Sequence, residues 1–449
     1  MKVLLVQSLT RNQLPVFPVG LAYIAASIRD NHDISIFDPN IHLDPWPSFA
    51  DKVDHYKPDV IGISLRNLDS VEYVCLDSYY QDFLTIINIA KEKHPSAKIV
   101  VGGSAFSIYA NPIMEACKDI DVGVFLEGES TFKELLANID NPDQVEGCLI
   151  HDGQRIIDTG SRQFMQLDQI TRPAYDLFQL DYYQFRMRGI GVETKRGCLC
   201  KCLYCPYPFL NGSSLRCRKP SDVVDEMQHL SESYGVRRFA FTDSVFNVPL
   251  ENSVSICEEL VSRDLDLKWT CYTDIGGFTE QYARLAIEAG CIAFPFSVDA
   301  FSNKALRIMG KNYTQQDILN SLEIATKVKE MEIGYGFFFD APGTTLKDII
   351  ALVRFLLKAK RQLGSRIRKI FGINRIRIEP HTPVYDLAIE QKQITPQTSM
   401  LKPVFYSEPR LRPITLLMDL GFTIIKPILK RRRSRSYRAH FSALLRKMN

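Results

Sequence analysis

Residues 195–206 read Lys-Arg-Gly-Cys-Leu-Cys-Lys-Cys-Leu-Tyr-Cys-Pro, and four of the chain's eleven cysteines fall inside this segment. Cys198, Cys202 and Cys205 are spaced C-x3-C-x2-C. Thiolates are metal ligands, and three in one tight loop can hold three irons of a four-iron cubane. Electron-carrying [4Fe–4S] proteins generally use four cysteines. An iron left without a protein ligand is a place where a cofactor or substrate binds metal directly. Two other readings compete. Zinc wants a second cysteine pair or histidines at suitable spacing, and the nearest downstream candidates, Cys217 and His229, lack it. Structural cysteines are usually buried and scattered among apolar neighbours, whereas these crowd together beside Lys and Arg. Cys200 lies inside the loop but off the three-ligand spacing. It is a spare thiol, or a ligand in the less familiar register C-x-C-x2-C.

The background supports a metal or redox centre. Of 449 residues, 45% are hydrophobic and 24% charged, the balance of a globular protein of two or three domains. An odd number of cysteines, clustered in a long chain, does not describe a disulfide framework. No stretch approaches the roughly 18 apolar residues of a spanning helix. Met1–Gln7 reads as a strand rather than a signal peptide, so a cytoplasmic location is expected. The net charge of +3 becomes −5 once the eight Lys/Arg of residues 430–449 are set aside, so the basic character belongs to a tail.

The elements that must position the cysteines alternate between strand and helix. Strands are expected at Lys2–Gln7, Ile34–Asp38, Val60–Leu65, Lys98–Val101 and Val122–Leu126, with helices at Leu21–Asn31, Asp82–His94 and Ser130–Ile139. Such alternation implies a parallel sheet covered on both faces, with ligands outside the carboxyl ends of its strands. Residues 151–188 read as a hairpin, turning at Asp152-Gly153, and a linker. From Gly191 the alternation resumes. Strands are expected at Gly191–Lys195, Phe239–Thr242, Lys268–Tyr272, Ala293–Val298, Gly334–Phe339 and Asn374–Ile378. Helices are expected at Ser221–Tyr234, Leu250–Arg263, Glu280–Ala289, Thr314–Met331 and Leu346–Leu363. Six units are too few for a full eight-unit barrel. The chain therefore reads as α/β. A Rossmann-like doubly wound parallel sheet (1–150) precedes the linker (151–188) and a partial (β/α)6 barrel (189–385). A small, mostly helical C-terminal segment with the basic tail follows (386–449).

With these segments in place, most of residues 1–385 resembles the cobalamin-binding radical S-adenosylmethionine (SAM) proteins, whose signature is C-x3-C-x2-C. The resemblance places Tyr204 near the adenine of SAM. It places Asp243 or Ser244, in the segment Phe239–Asn247, near the methionine amino group. Phe296–Ala300 resembles the fourth-strand segment, with Asp299 where glutamate is usual and Ala300 where serine is usual. Met309-Gly310-Lys311 matches the loop after it, and Ala341-Pro342-Gly343-Thr344-Thr345 the turn after strand five, which makes Pro342 and Gly343 candidates for SAM contact. In the N-terminal half, Gly20-Leu21, Ser64-Leu65-Arg66, Gly102-Gly103 and Glu127-Gly128 follow the cobalamin-domain pattern in order. The motif Asp-x-His-x-x-Gly, which supplies a lower histidine ligand to cobalt in some relatives, is absent, which suggests cobalamin without a protein histidine on cobalt.

The resemblance implies SAM chelated by the open iron, reductive formation of a 5′-deoxyadenosyl radical, and methylcobalamin as methyl donor. The activity it implies first is C-methylation of an unactivated carbon. A radical cyclase or C–C bond-forming enzyme acting on a lipid or tetrapyrrole, and a non-enzymatic cobalamin or iron–sulfur module, are the alternatives. A reductant such as flavodoxin or ferredoxin is implied as a partner, with a small molecule or lipid as substrate. Arg375, Glu379, His381 and Tyr385 lie at the expected barrel mouth and are candidates for substrate contact. The apolar run 414–425 and the basic residues after it either lie on an anionic membrane surface or pack on the barrel with a solvated end. The run has little of the aromatic interleaving of a nucleic-acid binder.

Overall fold

The computed structural model describes residues 1–10, 15–153, 155–184, 189–423, 426–428 and 431, with the backbone alone described at 169 and 368–373. Two compact units result, one built mainly from Met1–Tyr182 and the other mainly from Tyr183–Pro396 and Val404–Pro427.

The first unit is a seven-stranded sheet. Its strands are β1 (Lys2–Gln7), β2 (Asp33–Phe37), β3 (Val60–Ser64), β4 (Lys98–Gly102), β5 (Val122–Val124), β6 (Cys148–Asp152) and β7 (Arg155–Asp158), in the order β2-β1-β3-β4-β5-β6-β7. The first five are parallel, and the hairpin β6–β7 extends the sheet antiparallel beyond β5. Val3 to Val6 and Ile99 to Val101 are buried without interruption, because both faces of a parallel sheet are covered. The helices are α1 (Val19–Ile28), α2 (Pro45–Tyr56), α3 (Tyr80–Lys93), the short α4 (Ser104–Ile108) and α5 (Ala110–Ala116), and α6 (Gly128–Ala137). Sequence pattern missed α2, which buries only Pro45, Phe49 and Val53 and so shows a thin apolar stripe.

In the second unit six parallel strands form the order β15-β14-β13-β12-β11-β8. They are β8 (Ile190–Val192), β11 (Arg238–Phe241), β12 (Lys268–Thr270), β13 (Cys291–Asp299), β14 (Ile333–Phe338) and β15 (Ile367–Asn374), and β9 (Lys195–Arg196) with β10 (Arg216–Cys217) make a separate antiparallel ribbon. Between them run α7 (Tyr207–Asn211), α8 (Pro220–Tyr234), α9 (Leu250–Ser262), α10 (Glu280–Glu288), α11 (Asn303–Ile308), α12 (Gln315–Lys327) and α13 (Leu346–Leu363), with α14 (Pro383–Glu390) after β15.

One strand is displaced from its expected place. The sixth strand was expected at Asn374–Ile378, but β15 ends at Asn374, pairing with β14 from Ile333↔Ile367 onward. Arg368 and Lys369 interrupt its apolar run and hide it in the sequence. Residues 376–378 pair instead with the C-terminal segment, through Ile378 N–H to Val404 O (2.8 Å) and Tyr406 N–H to Ile376 O (2.8 Å). That segment is accordingly extended around 404–406 and helical again over 412–423 and 426–428. Of the basic tail, Lys430 and residues 432–449 lie outside the described residues.

Candidate functional site

The cysteine loop leaves the carboxyl end of β9 through Gly197, whose φ of +91° is open to glycine and strained for other residues. The loop is held on three sides. Cys198 N–H donates to Gly212 O (3.1 Å), Leu203 N–H to Met309 O (3.1 Å), and Val384 N–H to Leu203 O (2.9 Å). Gly310, at φ +74°, lets the loop after β13 come so close that a Cβ there would collide with the Lys201 carbonyl.

The thiols differ in acidity. Cys198 is pushed down to about 6, chiefly by its hydrogen bond with the Cys200 thiol, then by the Ser244 hydroxyl and Lys311, against the cost of burial. Cys202 is also lowered, first by Cys200 and then by Lys311. Cys200 is raised because its thiol hydrogen-bonds to both Cys198 and Cys202. Burial pushes Cys205 up to about 12. Lys311 Nζ stands 3.3 Å from Cys202 Sγ. Among the described residues no three His, Cys, Asp or Glu side chains converge as a site for one metal ion. Thiolates that each bind a separate iron need no such convergence. Three thiols on one loop beside a buried cation therefore suit a cubane.

Around this loop a buried polar group forms. Lys311 Nζ lies 2.5 Å from Asp299 Oδ2, and the same oxygen accepts from Tyr204 OH at 2.8 Å. Asp299 sits at φ +69° at the end of β13, a conformation Asp tolerates better than most residues. One oxygen of the carboxylate thus holds both Tyr204 and Lys311. Asp243 also has partners within the protein. Its oxygens accept from Thr194 N–H (2.8 Å), Thr194 Oγ1 (2.5 Å) and Lys195 Nζ (3.1 Å), locking the backbone that leads into the cysteine loop. Ser244, one residue on, faces the loop at Gly197 O (3.4 Å) and Cys198. Pro342 is buried and the Gly343 amide donates to Glu408 Oε2 at 2.7 Å, so that turn is tied to the C-terminal segment.

The four candidates for substrate contact fall into two places. His381 stacks on Phe209 of α7, with ring centroids 3.9 Å apart and planes at 4°, and Tyr385 follows on α14, whose first turn touches the cysteine loop. Arg375 instead meets Asp340 at 3.2 Å and Asp419 at 3.4 Å, and Glu379 lies 3.6 Å from Arg377. Sequence reading did not single out Asp340, Glu408, Asp419 or the role of Lys311. No spacing signal marks them, because their partners come from other strands or from the C-terminal segment.

In the first unit the carboxyl ends of β1, β3 and β4 are knit together. Ser8 N–H donates to Ser64 O (3.0 Å) and Leu65 N–H to Gly102 O (2.8 Å); Arg66 N–H donates to Ser8 Oγ (3.3 Å). Gly103 has φ +99°, and a Cβ there would meet Leu65 O at 2.8 Å. Gly20 is exposed, with open space where a Cβ would stand, and Arg66 is exposed too. This edge can take a bulky ligand close to its backbone. Leu21 and Leu65 are in the core, so only their backbone is available to it. Gly128 packs on Ile24, and Glu127 accepts the Met165 amide at 3.0 Å.

Comparison with known proteins agrees with both halves. Residues 10–136 match the B12 binding domain and residues 192–356 the radical SAM superfamily. The chain therefore belongs to the radical SAM proteins that carry an N-terminal B12-binding domain. A protein of Pyrococcus horikoshii described as an uncharacterized methyltransferase is 27% identical over 434 residues, covering 92% of each chain. The tryptophan 2-C-methyltransferase of Streptomyces laurentii is 23% identical over 64% of this chain and 57% of its own. The fold matches that of TsrM from Kitasatospora setae, a radical SAM methyltransferase solved with cobalamin and a [4Fe–4S] cluster. The TM-score is 0.74 at 21% identity, over 91% of this chain and 83% of that one.

Proposed function

We propose that the protein is a cobalamin-dependent radical SAM methyltransferase that methylates an unactivated carbon of a small-molecule or lipid substrate. The observation that carries this is a three-thiol loop at the carboxyl edge of a six-stranded parallel barrel, in one chain with a B12-binding domain. When bound, the [4Fe–4S] cluster, SAM and cobalamin supply reductive radical formation and methyl carriage. The protein's residues hold and orient them. Cys198, Cys202 and Cys205 ligate the cluster, and Lys311 offsets its charge. Ser244 serves the amino end of SAM, and Tyr204, fixed by Asp299, the adenine. Gly20, Ser64, Arg66, Gly102 and Gly103 form the cobalamin edge. Substrate is held by His381 and Tyr385, beside the cluster loop. An external reductant such as flavodoxin or ferredoxin is required, and we place the enzyme in the cytoplasm.

The test is anaerobic reconstitution with iron, sulfide and cobalamin, followed by SAM carrying a deuterated methyl group and a library of candidate substrates. The expected products are S-adenosylhomocysteine, 5′-deoxyadenosine and a substrate heavier by one labelled methyl group. A product with a new ring or C–C bond and no label would replace methyl transfer by cyclisation. An intact cluster that never cleaves SAM, with any substrate, would reject the radical reading.

A further inference from the structure

Helix α13 has two apolar faces where a barrel helix needs one. Leu352, Phe355, Ala359 and Leu363 are buried, and α13 packs on α12 and β15. Leu346, Ile350, Val353 and Leu357 recur at i, i+4, i+7 and i+11, which puts them in one stripe on the far side of the helix. They are 53%, 45%, 49% and 66% exposed. Beside this stripe lie Lys347, Arg354, Lys358 and Arg361, all exposed. Among the described residues none of these four cations pairs with an acid. The one acid of the helix, Asp348, is taken by the Thr345 amide and hydroxyl, each at 2.8 Å, in the capping box that starts the helix.

The charge pattern narrows the occupant. A second copy of the chain laid on this stripe would bring like-charged cation rows together without an acid to relieve them. An acidic protein would meet the cations but not four aliphatic side chains in a row. A surface with phosphates above and hydrocarbon below meets both. We propose that α13 docks lengthwise on an anionic phospholipid surface, its aliphatic stripe in the headgroup boundary and its cations on the phosphates. A second element of the same composition supports this. The helix over 412–423 exposes Leu416, Leu417 and Leu420, and the chain beyond it runs into Lys426 and Arg431. No helix of the described residues is long and apolar enough to cross a membrane, so the contact is peripheral. This proposal is independent of the reaction assigned above.

The test is co-sedimentation of the full chain with vesicles of phosphatidylglycerol and phosphatidylcholine, and with phosphatidylcholine alone. Binding is expected to the anionic vesicles only, weakening as salt rises. The pairs Ile350→Asn/Leu357→Asn and Arg354→Glu/Lys358→Glu lie on the exposed face and should melt like the wild type. Each should weaken anionic-vesicle binding by about tenfold or more. Failure of the wild type to bind anionic vesicles would overturn the proposal, as would wild-type binding by the Ile350→Asn/Leu357→Asn chain. A dimer that this same pair dissociates, without any vesicle binding, would assign the stripe to self-association and overturn it too. So would capture of an acidic flavodoxin in place of vesicles.

Discussion

Cys200 hydrogen-bonds to both Cys198 and Cys202, yet it is off the ligand spacing, so its thiol would be left spare when its neighbours bind iron. Cys200→Ser should keep about four irons per chain after reconstitution, while Cys198→Ala, Cys202→Ala and Cys205→Ala should each lose most of them. Iron loss in the serine variant equal to that of the alanine variants would make Cys200 a ligand. Asp340 gives a second prediction. Burial raises its carboxyl from 3.8 to about 6, outweighing the attraction of Arg375. The folded state then binds the proton more tightly than the unfolded chain. This group's stabilisation is full below about pH 4 and is lost as pH rises to about 6, a change on the order of 3 kcal/mol. In Asp340→Asn that slope should vanish, whatever constant offset comes from leaving Arg375 with one partner fewer. Denaturant melts across this pH window measure it, and an unchanged slope would assign the titration elsewhere.

At the scale of elements, the cysteine loop depends on the loop after β13, since the two backbones touch at Gly310 and Lys201. A side chain at Gly310 faces both a φ of +74° and a backbone oxygen that cannot move alone. Gly310→Ala should therefore cost about 1–3 kcal/mol or more and lower the iron retained, read by thermal melts and iron analysis. Gly20→Ala is the contrasting control: with nothing within 4 Å of its Cβ, the fold should be indifferent to it. The carboxyl ends of β13 and β14 act together here. Asp299 and Asp340 sit at or just after these ends, and each pins a cation from a later segment, Lys311 or Arg375.

At the scale of the whole molecule, each unit gathers its candidate site residues at the carboxyl edge of its parallel strands, the expected place for a ligand in such sheets. If the first unit holds cobalamin in its folded form alone, ligand binding adds stability by mass action, about 2.7 kcal/mol at a hundredfold excess over Kd. Added cobalamin should raise Tm and remain with the chain through gel filtration. Gly103→Val, which forces a Cβ against Leu65 O, should lose both effects. A wild-type Tm indifferent to cobalamin would remove it from the cofactor set.

Local pattern sufficed wherever one segment contains the whole signal. The three-cysteine spacing, the strand–helix alternation of both units and the full span of α13 are of this kind, since a loop of ligands and a periodic apolar face are each written in consecutive residues. The tertiary structure decided which polar groups are spoken for. Asp243 and Asp299 read as candidates for SAM contact, and only the fold shows that their oxygens also accept from Thr194, Lys195, Tyr204 and Lys311. The position of β15, hidden by Arg368 and Lys369, and the pairing of 376–378 with 404–406 rest likewise on long-range backbone bonds. No run of neighbouring residues records such bonds, because burial and charge pairing are settled only when distant strands meet.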